Sequence, residues 1–267
     1  MQRPPLDPAA LRANLIGPDG PVRQLDVVEE TGSTNADLLA RHAAGQDITG
    51  TVLLAEHQSA GRGRNGRSWS APPRSQIALS MGVDAAGVPP SAWGWLPLLT
   101  GVALVDAVRQ ATGIAAGVKW PNDVLVGTGK LAGILAEVAA PDPVIVVGLG
   151  LNVTLTADEA PDPRATSLQM LGATMLDRDH LAQTIVGELA RRIRHWQQAQ
   201  GPDATLIEDY RRASSTLGSR VRAILPGDHD IIGTATDIDE LGRLLIDTDT
   251  EVVTVSAGDI THLRPAD

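Results

Sequence analysis

Among its 267 residues the chain has no cysteine and no phenylalanine, and only two lysines, Lys119 and Lys130. Nothing in the sequence accounts for the missing phenylalanine. The missing cysteine excludes a disulfide framework, a thiol nucleophile and any thiolate-ligated zinc or iron–sulfur site. No apolar run approaches the ~20 residues of a membrane-spanning helix. The opening MQRPPLDPAALRANL lacks the apolar stretch of a secretory leader. These absences predict a soluble, cytoplasmic protein. Positive charge is also scarce: Lys+Arg 22 against Asp+Glu 32 gives a formal net charge of −10. That balance excludes broad nonspecific nucleic-acid binding and leaves room only for a local basic patch. The six histidines (42, 57, 180, 195, 229 and 262) have no metal-ligand spacing. No serine sits in a nucleophile elbow, and GLGLNV at 148–153 lacks the rest of a dinucleotide fingerprint.

What is present is a chain 43% hydrophobic and 20% charged, enough for a sizeable core. Pro and Gly over residues 1–21 predict a flexible N-terminal arm. A helix begins near Thr31, where Ser33 and Thr34 are N-cap candidates and Asp37 follows three residues after Thr34. Strands are expected at Thr51–Glu56, Gln76–Val83, Leu131–Val138 and Val144–Val153. Helices are expected at about 91–110, with Trp95, Leu98, Val102, Val105 and Val108 on one stripe, at 179–199 and at 203–213. Beyond Gly218 short strands alternate with turn segments, PGDHD, DELG and DTDTE, as in a small β-barrel. The last of these strands spans Ile260 to Leu263. The expected organisation is an arm at 1–21, a main domain at 22–215 and a barrel at 216–267.

Four segments carry candidate chemistry. In Gly61–Trp69, GRGRNGRSW, glycines alternate with Arg62, Arg64 and Arg67. Free backbone N–H groups and guanidinium forks suit an anion, although an exposed basic loop or an arginine–glycine RNA-binding stretch would read the same way. Lys119-Trp120-Pro121-Asn122-Asp123 places a carboxylate near a lysine at the mouth of a short strand, equally consistent with a structural ion pair. In GKLAGILAE (129–137), Lys130 opens an apolar strand as if its ammonium entered a cleft end-on. In GLGLNV (148–153) small residues either admit a ligand or serve packing. Both lysines fall in these segments of a chain that otherwise uses arginine. Either both positions need an ammonium, a compact point charge rather than a planar fork, or two lysines survive by chance.

In their order these segments resemble the biotin protein ligases, in TGSTN (31–35), AEHQSAGRGRNGRSW (55–69), KWPNDV (119–124), GKLAGILAE (129–137), GLGLNV (148–153), ATSL (165–168) and the terminal LR (263–264). The resemblance implies an α+β fold, with a mixed β-sheet catalytic domain and flanking helices, related to class II aminoacyl-tRNA synthetases, followed by a Src-homology-3-like barrel. It implies two steps: biotin and MgATP form biotinyl-5'-AMP, then a lysine of a biotin carboxyl carrier domain of a carboxylase takes the biotinyl group. It assigns Arg62, Arg64 and Lys130 to the biotin carboxylate and α-phosphate, and Asp123 to the incoming lysine. Ser33, Thr34, Asn35 and Gln58 would hold the ureido ring, with Trp69 as a wall and Lys119 supporting the loop of Asn122 and Asp123. Gly63, Arg67 and Gly133 join the binding set, and Gly150, Asn152 and Arg264 would face the nucleotide. The glycine loop and residues 161–167 would close over the adenylate. Magnesium would arrive with ATP and not on protein ligands. With TGSTN at residue 31, no N-terminal DNA-binding domain is expected, and no membrane partner. Alternatives are a lipoate–protein ligase, a noncatalytic biotin sensor and an RNA-binding module.

Overall fold

The structure is a computed structural model that describes residues 3–17, 22–225, 230–260 and 262–266. Of the turn expected at PGDHD, residues 226–229, with His229, lie outside the described residues, as does Thr261 of the last expected strand. The main body is a seven-stranded mixed sheet in the order β1-β2-β3-β7-β6-β5-β4. Its strands are β1 (Gln24–Thr31), β2 (Thr51–Gln58), β3 (Gln76–Asp84), β4 (Gly117–Lys119), β5 (Asp123–Val126), β6 (Gly129–Val138) and β7 (Val144–Asn152). β1 and β2 run parallel, and the remaining neighbours pair antiparallel.

Because side chains alternate across a strand, this sheet has two differently clothed faces. Val52, Leu54, Ile145, Val147, Leu149 and Leu151 face the larger core, beneath α3 (Trp95–Thr112) and α4 (Arg178–Gln198). Leu53, Val144 and Val146 face a small second core with Leu38 of α2 (Thr34–Ala43). Further along β7 the α2 face carries Gly148 and Gly150 instead of aliphatic side chains, and that change opens the site described below. α3 is buried along most of its length and ends at Gly113, whose positive φ of 75° closes the helix. Trp95 meets Tyr210 of α5 (Ala204–Ala213) edge to face at 5.9 Å, and Arg192 of α4 ties Asp106 of α3 to Asp209 of α5.

The N-terminal segment corrects the expectation of a flexible arm. Pro8–Leu15 form α1, capped by Asp7, whose carboxylate accepts from Ala9 and Ala10 N–H. Pro8 opens the helix where its missing N–H costs nothing. Leu6 and Leu11 are buried in the main core. The segment is also pinned electrostatically. Glu56 of β2 and Arg178 of α4, both almost fully buried, pair at 2.6 Å. Glu56 further accepts Leu6 N–H at 2.5 Å, and Arg178 donates to Pro4 O at 2.5 Å. High Pro and Gly content hid this short segment, whose burial depends on Glu56 and Arg178, partners on elements distant in the sequence. β1 and β5 were likewise not expected.

The second sheet is five-stranded and antiparallel, in the order β11-β10-β9-β8-β12. Its strands are β8 (Arg220–Ile224), β9 (Asp230–Ile238), β10 (Leu244–Asp247), β11 (Val252–Val255) and β12 (His262–Pro265). It is bolted to the main body through tryptophans: Trp95 Nε1 donates to Glu240 O at 2.9 Å and Trp120 Nε1 to Gly242 O at 3.1 Å. Arg211 of α5 adds a two-pronged pair with Asp237.

Truncating one member of a buried ion pair strands the other charge. Arg178→Ala is therefore expected to cost about 3 kcal/mol or more of unfolding free energy. Urea denaturation of the two proteins measures this; a midpoint shift equivalent to well under 1 kcal/mol would contradict it.

Candidate active site

One cleft of about 920 Å³, including the part open to solvent, lies on the α2 side of the large sheet. Its floor is the cross-strand pair Gly133 of β6 and Gly150 of β7. The Trp69 ring packs against both. A Cβ at Gly150 would stand 2.3 Å from the Trp69 ring nitrogen, and one at Gly133 3.1 Å from Trp69 Cζ3. Any larger residue would displace the indole. Trp69 Nε1 donates to Gln76 Oε1 at 2.6 Å, which fixes its tilt. The small residues of GLGLNV thus make room for a protein side chain, not directly for a ligand.

Around this floor stand the cations. The loop after β2 folds back on itself, Trp69 N–H donating to Gly61 O at 2.8 Å and Gly63 N–H to Arg67 O at 2.7 Å. Asn65, with φ 55°, and Gly66, with φ 71°, make the left-handed turn at its tip. The loop leans on the second sheet's domain, where Arg64 donates to Ala257 O and Asn65 to Ile260 O. Arg64 also reaches Asn122 at 3.4 Å, and Arg62 pairs with Glu137. Lys130 Nζ sits 2.7 Å from Asp123 Oδ1 and 5.5 Å from the Trp69 ring centroid, within cation–π range. The carboxylate of KWPND therefore pairs with Lys130. Every one of Arg62, Arg64 and Lys130 is matched here by a protein oxygen.

Burial pulls the Arg64 guanidinium below its ordinary pKa, and Arg67 pushes the same way while Asp123 opposes. Burial likewise lowers Lys119; Asp123 opposes, but Lys130, Arg164 and Arg264 add to the fall. Half-dried cations crowding one another is the signature of a site that favours anions.

The opposite end is polar and neutral. Ser33 caps α2, and Gln58 Oε1 accepts from Thr34 N–H at 2.9 Å and from its hydroxyl at 3.1 Å. Ser80 Oγ lies 2.6 Å from Asn35 Oδ1 and 2.7 Å from Thr34 Oγ1. Gly148 leaves the room Asn35 needs, since a Cβ there would meet its Oδ1 at 2.0 Å.

Ser33, Thr34, Asn35, Gln58, Arg62, Gly63, Arg64, Arg67, Trp69, Lys119, Asn122, Asp123, Lys130, Gly133 and Gly150 all line this one cleft. Two expected residues do not. Asn152 is buried at 3%, outside the lining, and its amide donates to Thr166 O at 2.9 Å, bracing the segment after β7. Arg264 is exposed on β12, outside the lining. The 161–167 segment lies beside Lys130, whose N–H donates to Arg164 O at 2.6 Å. Sequence reasoning missed Ser80, Glu137 and the second domain's Ile260 and Leu263. Ser80 and Glu137 interrupt otherwise apolar strands, a signal that was there to find. Nothing local marks Ile260 or Leu263 as cleft residues.

The chain matches the sequence model of the Biotin/lipoate A/B protein ligase family over residues 27–152 and that of the Biotin protein ligase C terminal domain over residues 216–263. The biotin--[acetyl-CoA-carboxylase] ligase of Mycobacterium tuberculosis is 54% identical over 265 residues, which span 98% of this chain and 97% of that protein. The bifunctional ligase/repressor BirA of Escherichia coli is 32% identical over 253 residues, spanning 93% of this chain and 75% of that one. Among solved structures, a biotin protein ligase from Aquifex aeolicus in complex with biotin and ATP superposes with a TM-score of 0.76 at 25% identity, over 91% of this chain and 100% of the other. Its shared residues, its two-sheet architecture and this cleft agree: the chain belongs to the biotin protein ligase family.

Proposed function

We propose that the chain activates biotin with MgATP and passes the biotinyl group to a lysine of a biotin carboxyl carrier domain, that of acetyl-CoA carboxylase being the first candidate. In the first step a biotin carboxylate oxygen attacks the α-phosphorus, the bond to the β-phosphate oxygen breaks, and pyrophosphate leaves. In the second the carrier amine attacks the acyl carbon, the bond from that carbon to the bridging oxygen breaks so that AMP departs with this oxygen, and the amine's proton passes to Asp123 or to water. The observation that carries this reading is the convergence of Arg62, Arg64 and Lys130 on one cleft that ends in a neutral, hydrogen-bonding turn.

Two anions repel as they approach, so the first step needs positioning and charge neutralisation above all. Arg62 and Arg64 can grip a phosphate with forks, and Lys130 can bridge oxygens of different groups. A ureido ring offers donors and an acceptor to Ser33, Thr34, Asn35 and Gln58. Lipoate's dithiolane offers none and would leave buried polar groups unpaired. Asp123 would orient or deprotonate the carrier lysine, whose free pKa near ~10.4 keeps it protonated at neutral pH. Lys119 supports this loop, and the loops at 61–69 and 161–167 would exclude water from the adenylate. Magnesium would ride on the phosphates: Asp123 is the lone carboxylate of the lining and already pairs with Lys130, and no cluster of three potential ligands occurs among the described residues. The reading needs neither DNA nor a membrane and places the reaction in the cytoplasm; no described helix is long and apolar enough to cross a bilayer.

Transfer of labelled biotin to a purified carrier domain with ATP tests the whole reading, and lipoate competing equally for adenylation would overturn the choice of acid. Lys130→Ala and Lys130→Arg are each expected to slow pyrophosphate release about 100-fold or more with an unchanged circular dichroism spectrum; wild-type rates would remove the bridging role. Asp123→Asn is expected to slow transfer from supplied biotinyl-5'-AMP about 100-fold while hurting adenylation much less, as single turnovers would resolve. Gly150→Ala should displace Trp69 and raise the KM for biotin about tenfold, taking roughly one lost hydrogen bond or stacking contact as the scale. An unchanged KM would mean the indole does not shape the biotin site.

A further inference from the structure

Glu137 lies at the end of β6 on the same face as Gly133 and Leu135, both of which line the cleft. It is not itself in the lining, and no step above uses it. Its two carboxylate oxygens are nevertheless spent on the two chemically different halves of the site. Oε1 pairs with Arg62 of the cation cradle, and Oε2 accepts from Asn35 Nδ2 at 3.0 Å. From Asn35 the chain of contacts continues through Ser80 to Thr34 and Gln58. One side chain thus joins the anion end of the cleft to its neutral end.

We propose that Glu137 is a positioning residue with two duties: a resident counter-ion that holds Arg62 until a substrate anion replaces it, and the anchor that sets the Asn35 amide. The proposal rests on the reading of Arg62 as an anion-binding residue.

The two contacts differ in physical character. The Arg62 side chain is 43% exposed, and a solvent-exposed ion pair is worth little. Arg62 can therefore leave Glu137 for a doubly engaged phosphate at small cost, and the carboxylate lowers the net affinity for that phosphate by a small factor. Asn35 is 4% exposed, and its amide is oriented on every side, by Glu137, by Leu135 O at 3.2 Å and by Ser80. Gly148 provides the space that its Oδ1 occupies. A buried donor deprived of its acceptor costs more than the exposed pair. The Arg62 contact is the exchangeable one and the Asn35 contact the permanent one.

The substitution Glu137→Gln removes the charge and keeps an acceptor for Asn35, whereas Glu137→Ala removes both. The rate at which preformed biotinyl-5'-AMP leaves the full-length enzyme, measured by chase, reads the first duty. The affinity for biotin methyl ester, which has no carboxylate to meet Arg62, reads the second. Glu137→Gln is expected to slow adenylate release about two- to fivefold, and this effect should vanish in an Arg62→Ala background. The methyl ester should bind Glu137→Gln within about twofold of the parent and Glu137→Ala about five- to tenfold more weakly. If Glu137→Gln leaves release unchanged or speeds it while Arg62→Ala speeds it, the counter-ion role is overturned. If both Glu137 variants weaken the methyl ester equally, the anchoring role is overturned. Release at the parent rate in Arg62→Ala alone would overturn instead the assignment of Arg62 on which the proposal rests, a failure separately visible.

Discussion

Everything in the cleft answers to the crowding of like charge. A chain with a formal net charge of −10 gathers Arg62, Arg64, Arg67, Lys119 and Lys130 around one small volume. Burial and mutual repulsion lower Arg64 and Lys119. Such a cluster holds together only where oxygens match it, and here they come from Asp123, Glu137, Asn122 and the Ala257 carbonyl. Substrate anions can take over the same role. A site that would bring a carboxylate against a phosphate needs this excess of positive charge prepared in advance, because water cannot supply oriented charge at the moment of reaction.

The second constraint is steric. The strands that bury Leu149 and Leu151 toward the large core must turn Gly148 and Gly150 to the other face. Glycine on that face lets Trp69 and Asn35 descend to the backbone of the sheet. The indole then forms both the floor of the cleft and the surface beneath the Lys130 ammonium. The apolar wall, the cation and the polar turn are thereby referenced to one rigid sheet instead of to separate loops, which is how positions hold to fractions of an ångström.

The small domain takes part in the site as well. Ala257 and Ile260 receive Arg64 and Asn65 at the tip of the glycine loop, while Trp95 and Trp120 clamp the β9–β10 turn to the main body. Trp120 sits inside KWPND, so one of the residues that fasten the domains lies two positions from Asn122, which meets Arg64. Domain docking and loop placement are mechanically connected through it.

How much of this was legible in the chain depends on the range of the interaction. The helix cap at Ser33, the apolar strands β2, β3, β6 and β7, the stripe of α3 and the short strands after Gly218 were readable, because periodicity and turn chemistry are local. The ordered motifs were enough to name the family and most of the cleft. Tertiary structure alone decided that Lys130 pairs with Asp123, that Trp69 occupies the space of Gly133 and Gly150, that Asn152 turns inward, and that residues 8–15 form a helix held by a buried pair on distant elements. Trp69 meets Gly133 and Gly150, and residues 8–15 depend on Glu56 and Arg178, across stretches of chain that no short window on the sequence contains. Lys130 and Asp123, and Asn152 and Thr166, are near in sequence, but which of the available partners each takes is set by the register of β5 on β6 and by the path of the chain after β7, and only the packed sheet fixes those.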